Sequence, residues 1–165
     1  MRQLTELSIN YSRQMISYNK LFGHLLDAGN TTTISDYLNL LSDAGIIIAL
    51  PRYTLSPHIG KATLYKLNVL NTTLMTDPTA YSYRELCASP SLWGRIVETA
   101  VGTHLCNTRK TAIRIHYWRS KNGDYETNFV IARGPHLVGI EVKSGITLSS
   151  RGLNAFTSRF SMLRL

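Results

Sequence analysis

The run "NFVIARGPHLVGIEVKSG" opens on Asn128 and closes on Glu141-Val142-Lys143. Two short strands that bring an acidic side chain and then a Glu-x-Lys pair to one edge of a sheet have the means to hold a divalent ion, and here the acidic position reads Asn128. Such an ion needs oxygen ligands and keeps several of its waters. It lowers the pKa of one water and neutralises charge developing on a phosphodiester, while a lysine beside it orients that water or stabilises the transition state. Asn128 offers this chemistry one carbonyl oxygen and no charge. The plainer alternative for Glu141 and Lys143 is an ion pair at an exposed strand end.

A third carboxylate comes from further upstream. In "SLWGRIVETAVGTHLCN" (91–107), Trp93, Ile96, Val97, Ala100, Val101 and Leu105 make a broad apolar helix surface, and Ser91 is a candidate cap. Gly94 and Gly102 lie four residues either side of Glu98, so the three share one face. Glycine costs about 1 kcal/mol relative to alanine inside a helix. Two of them around one carboxylate therefore point to a close approach of something to the backbone. Plain helix-on-sheet packing with Glu98 on a solvated rim competes evenly with that reading.

Around these residues the pattern predicts strands over 112–118, 125–134 and 136–145, with Gly134-Pro135 as a hairpin. Period-two alternation puts Glu126, Asn128 and Val130 on one face, and Glu141 and Lys143 on one face. Leu153, Phe156, Phe160 and Leu163 then share the face of a following helix.

The first half reads differently. Helical material fills 4–29 with a break near Ser12 to Ser17, where Ser17 caps a helix carrying Leu21, Leu25 and Leu26. In "NTTTISDYLNLLSDAG" (30–45), Thr33 and Asp36 suggest a capping-box-like pair, and Ile34, Tyr37, Leu38 and Leu41 form one face until Gly45 stops the helix. Strands follow at 46–53 and 63–71, the second alternating Leu64, Lys66, Asn68 against Tyr65, Leu67, Val69. Helices followed by a two-stranded hairpin make a winged helix, with His58 and Lys61 in the wing. The third helix carries Asp36 and Asp43 and no Lys or Arg, poor equipment for a groove lined by phosphates. A protein-docking or spacer role suits it better. A connecting segment over 75–92 with a short helix sets a domain boundary near residue 76.

The 165 residues suffice for one domain or two small ones, and 44% hydrophobic against 17% charged residues describe a chain with a core. A net charge of +8 favours an anionic partner, DNA first. The basic residues expected to serve it are Arg52, Lys61, Arg95, Arg119 and Lys121, with Lys143 beside the acidic site. Cys87 and Cys106 lack zinc-ligand spacing, so free thiols in a reducing, cytoplasmic setting are expected. There is no apolar run of membrane-spanning length, no signal-peptide pattern and no Gly-x-x-x-x-Gly-Lys-Ser/Thr loop for ATP. A second copy of the chain is a further expected partner.

On "WGRIVETAVGTHL", "YWR", "YETNFVI" and "IEVKSG", the second half resembles the PD-(D/E)xK nuclease fold. Nearly the whole chain, including "SYNKLFGHLLDAGNTTTISDYLNLLSDAGII" and "LYKLNVLNTTLM", is similar to the C-terminal domain of unknown function of prokaryotic AAA-type ATPases. The resemblance implies an α+β or α/β chain with a winged-helix-like domain over 1–76. A restriction-endonuclease-like mixed-sheet domain over 77–165 follows. It also implies that an ATPase module precedes this segment, and little chain is left for the fold's usual fourth strand. Carried over residue by residue, Glu98, Glu141 and Lys143 match catalytic positions; the implied metal-binding set is Glu98, Asn128 and Glu141, of which Asn128 does not match. The family pattern has Asp where Asn128 stands. The expectation is therefore a weakened site that takes Mg²⁺ or Mn²⁺ poorly, with Glu126 as a substitute ligand. An active metal-dependent DNase and a silent interaction module are the alternatives. On this reading Asn128→Asp tightens metal binding and Glu141→Ala removes the gain.

Overall fold

Helix α1 (Arg2–Asn10) ends in a turn where Arg13 takes φ +65°, an uncommon conformation for a residue with a side chain. The computed structural model describes residues 2–25, 30–55, 64–76, 81–145 and 149–160. Within the expected break lies a short strand, β1 (Met15–Ile16). Ser17 then caps α2 (Tyr18–Gly23) by accepting from the Lys20 amide at 3.1 Å. Helix α3 (Thr31–Asp43) is capped by Asn30, which accepts from the Thr33 amide at 2.9 Å. The Thr33–Asp36 pair is thus replaced by a stronger capping residue one turn earlier. Gly45, at φ +69°, follows the helix end. Strands β2 (Ile47–Pro51) and β3 (Tyr65–Val69) run antiparallel, in a sheet ordered β1-β3-β2. The wing expected between them, with His58 and Lys61, falls in 56–63, outside the described residues.

Two short helices, α4 (Thr73–Thr76) and α5 (Tyr83–Ala88), lead into α6 (Pro90–Thr108). Residues 77–80, next to the expected domain boundary, lie outside the description. A capping box between Ser82 and Glu85 starts α5. Helix α6 starts at Ser89-Pro90, not at Ser91. Proline at the first helical position lacks only an amide that would have gone unused. Strands β4 (Arg114–Arg119), β5 (Glu126–Arg133) and β6 (His136–Ile140) form an antiparallel sheet in that order, and α7 (Arg151–Phe160) follows. Strand β6 stops at Ile140, so Glu141 and Lys143 lie just past it. Leu163 is outside the described residues.

The sheets meet edge to edge. Arg52, just after β2, bridges Tyr117 of β4 in parallel, and the Tyr53 amide donates to the Tyr117 carbonyl at 2.7 Å. Helix α6 lies over both halves. Its Ile96 joins the core built on Leu4, Ile16, Leu21, Ile34, Ile47 and Leu67, and its Cys106 joins Leu50, Ile115, Tyr117 and Phe129. The opposite face of the second sheet packs Trp118 and Val130 on Phe156 and Phe160 of α7. Each fully buried Leu, Ile or Phe contributes about 1.5–3 kcal/mol, which makes this shared core the main tie between the halves.

One irregularity re-aims β5. His116 pairs with Val130 and Trp118 with Thr127, so Asn128 and Phe129 together stand opposite Tyr117, a β-bulge. The bulge breaks the alternation expected for Glu126, Asn128 and Val130. Val130 faces α7, while Asn128 and Phe129 both address α6.

Candidate functional site

Glu98 points from the middle of α6 into the space between the sheets, with only 16% of its side chain exposed. Its Oε1 accepts from three donors: the Arg13 guanidinium, the Lys66 ammonium at 3.0 Å and the Asn128 amide at 2.6 Å. Lys66 also pairs with Glu126. Two cations and two carboxylates therefore balance in one cluster. Burial alone would raise the Glu98 carboxyl; the adjacent Arg13 and Lys66 charges outweigh it and hold the group below its ordinary value.

Each member is placed by its own element. The left-handed turn at Arg13 sends its side chain inward, completely buried, with the guanidinium 4.3 Å from the centre of the Phe129 ring and donating to Asn68 at 3.4 Å. Lys66 and Asn68 occupy the side of β3 that the pattern marks as polar. They are 3% and 0% exposed, because α6 and the second sheet cover that side. The bulge brings Asn128 to the cluster, where its Nδ2 donates to Glu98 and its Oδ1 accepts from the Val142 amide at 2.7 Å. Both neighbours require that orientation of the amide. The glycine face of α6 is needed too. A Cβ at Gly102 would come within 2.9 Å of Phe129 and closer still to the Asn68 side chain. Around the cluster, Ser12 bonds Thr99 at 3.2 Å and Thr103 donates to the Val69 carbonyl at 2.9 Å.

Glu141 stands apart from this cluster. Ile140 and Val142 pack towards α6, whereas Gly139 backs onto Leu153 and Phe156, and the Glu141 carboxylate lies beside Gly152 of α7. Its Oε1 accepts from Lys143 at 2.7 Å, and its Oε2 is buried without a hydrogen-bond partner among the described residues. Glu98 and Asn128 are thus brought together, while Glu141 and Lys143 pair with each other just past β6 and make no hydrogen bond to the cluster among the described residues. Among the described residues no three Asp, Glu, His or Cys side chains converge as a metal-binding group.

The expected basic residues divide. Arg52 donates to the Arg119 carbonyl at 3.0 Å, Arg95 to the Ser12 carbonyl at 3.2 Å, and Arg119 to the Gly123 carbonyl at 3.2 Å. These three guanidiniums brace backbone. Lys121 is exposed, and Lys61 lies outside the described residues. Sequence reasoning missed Arg13 and Lys66. The available signals were a lone arginine inside a helix break and a lysine on a strand whose other residues are mostly apolar.

The described residues make a mixed α/β fold with two three-stranded antiparallel sheets, joined through a helix that carries a buried ion-pair cluster. Residues 93–164 match the model of a family described as a domain of unknown function (DUF4143). No curated protein and no solved structure matches the chain significantly. The matched segment contains Glu98, Glu126, Asn128, Glu141 and Lys143 and leaves Arg13 and Lys66 outside it. Both cations on Glu98 therefore come from the preceding part of the chain. Cys87 and Cys106 are free thiols, and no helix among the described residues is long and apolar enough to cross a membrane.

Proposed function

We propose that this chain is a recognition module with a nuclease-like second half, whose acidic centre is neutralised by cations of the chain itself. The observation that carries the reading is the convergence of Arg13, Lys66 and the Asn128 amide on one oxygen of Glu98. Two fixed positive charges at that carboxylate repel a divalent ion. Asn128 brings no charge, and one lone pair of its Oδ1 is already engaged by the Val142 amide. The residues present at Glu98 fit a cation pair and do not fit Mg²⁺ or Mn²⁺. The order helix, strand, helix, helix, strand, strand in residues 2–69 supports the winged-helix reading of the first half. The ion-pair cluster then acts as a lock that docks that half onto the nuclease-like one. The motif resemblance supports a place beside an ATPase module, which would use this module to engage nucleic acid or a partner protein.

One observation favours the alternative of an active DNA nuclease: the Oε2 of Glu141, next to Lys143, has no hydrogen-bond partner among the described residues. Plasmid nicking with Mg²⁺ or Mn²⁺ separates the two. The recognition reading expects no metal-dependent nicking beyond that of Glu141→Ala. Nicking by the unmodified chain that Glu141→Ala abolishes would establish the nuclease in its place.

A further inference from the structure

The far end of the second sheet carries charge that the fold does not use. Arg109 and Lys110 follow the C-terminus of α6, Arg114 opens β4 and Arg133 closes β5, and all four are exposed. The strand register gathers them: Arg114 pairs with Ala132, the neighbour of Arg133, and Arg133 stands opposite His136. Two hollows adjoin there and share Ile113. One, of about 370 Å³, is lined by Arg109, Lys110 and Arg114; the other, of about 670 Å³, holds Arg133 and His136 over a floor of Ile131 and Val138.

Among the described residues, none of the four cations takes part in an ion pair. The chain has no Asp or Glu between Glu98 and Asp124, or between Glu126 and Glu141. This contrasts with Arg13, Arg52, Arg95 and Arg119, whose guanidiniums are committed within the fold. The group is also remote from the acidic cluster. Arg109 lies ~16 Å along α6 from Glu98 at 1.5 Å per residue, and Arg133 lies ~16 Å along β5 from Asn128 at about 3.3 Å per residue.

We propose that Arg109, Lys110, Arg114 and Arg133 bind the phosphates of a nucleic-acid backbone, with Ile113, Ile131 and Val138 receiving its sugars. Three of the four cations are arginines, whose planar forks match phosphate oxygens two at a time. The net charge of +8 draws a polyanion to the surface. A membrane would call instead for a protruding apolar helix face, and this site is a hollow. The inference rests on the nucleic-acid arm of the recognition reading and is independent of whether Glu141 supports catalysis.

The test is fluorescence anisotropy of a labelled DNA duplex, titrated between about 50 and about 200 mM NaCl with the unmodified chain and with a variant carrying R109A, K110A, R114A and R133A. Each phosphate contact contributes about 0.9 to the slope of log affinity against log salt, so four account for about 150-fold of the weakening over that range. The variant is expected to lose that share of the slope and to bind at least ~10-fold more weakly at the lower salt. Arg133→Gln alone should reduce the slope by about 0.9, which keeps the test decisive if the fourfold variant folds poorly. Substituting the exposed Arg2 and Arg84 instead should leave the slope unchanged. DNA binding with an unaltered slope in both R133Q and the fourfold variant would overturn this surface while leaving the recognition reading intact. No duplex binding at low salt, with binding of polyglutamate or phosphatidylserine vesicles, would overturn the nucleic-acid assignment itself.

Discussion

Replacing Asn128 by Asp exchanges one atom for another of nearly the same size, yet the account predicts a large loss of stability at neutral pH. The Asn128 amide donates to Glu98 at 2.6 Å while accepting from the Val142 amide at 2.7 Å. A carboxylate can only accept. The substitution removes a hydrogen bond to a charged group, worth ~1.5–3 kcal/mol. It also sets two negative oxygens against each other. At 2.6 Å and an effective dielectric of 20 that repulsion reaches about 6 kcal/mol before any relaxation. Protonation caps the cost, because a protonated carboxyl donates as the amide did. Holding that proton at pH 7 against an ordinary aspartate value near 3.9 costs about 4 kcal/mol. The expected destabilisation is therefore ~2–4 kcal/mol at pH 7. Between about pH 4 and 7 the folded variant holds more protons than the unfolded chain, so the deficit shrinks by up to about 1.4 kcal/mol per unit as pH falls. Urea denaturation followed by tryptophan fluorescence at pH 7 and pH 5 measures both. A variant as stable as the parent at pH 7, or one stabilised by millimolar Mn²⁺, would refute the reasoning. The second result would restore the sequence-based expectation that an aspartate here completes a metal site.

Gly102→Ala should lower stability by about 1–3 kcal/mol despite the ~1 kcal/mol helix gain, since neither Asn68 nor Phe129 has room to move. Gly94→Ala, on the same helix face but 3.4 Å from the Ser144 hydroxyl, should be neutral or stabilising by up to about 1 kcal/mol, and urea midpoints compare the two. The Glu98 carboxyl is held below its ordinary value of 4.5 in the folded chain. Its contribution is therefore present above that value and lost as pH falls through the lowered one. Thermal melting from pH 6 to pH 3 should show a steeper fall in the parent than in Glu98→Gln.

The elements of this chain were largely legible because their signals are local. Ser17 and Gly45 marked helix ends, and the Gly94, Glu98, Gly102 face announced a close approach that Asn68 and Phe129 fulfil. The centre was less legible because its partners come from distant segments. Lys66 and Asn68 alternate with apolar residues as solvent-facing residues do, and a period of two cannot reveal that a second layer covers the polar side. The bulge at Asn128 carries no glycine to announce it, so a regular strand put Val130 beside Asn128 when Val130 faces α7. Arg13 gave no signal beyond its place in a helix break, since an arginine in a left-handed turn is rare. Glu141 and Lys143 do pair, but just past the end of β6, and their separation from Glu98 depends on which way the segment after β6 presents them.

The claim at the centre is that Glu98 answers to cations of its own chain, and a double-mutant cycle on Lys66 and Glu98 tests it most directly. Removing one partner of a buried pair strands the other charge and costs about 3–5 kcal/mol. Lys66→Met and Glu98→Gln should each destabilise on that scale by urea denaturation. The double variant should fall short of the sum of the two by a coupling of about 2–3 kcal/mol. Additive losses, with a coupling near zero, would contradict the account.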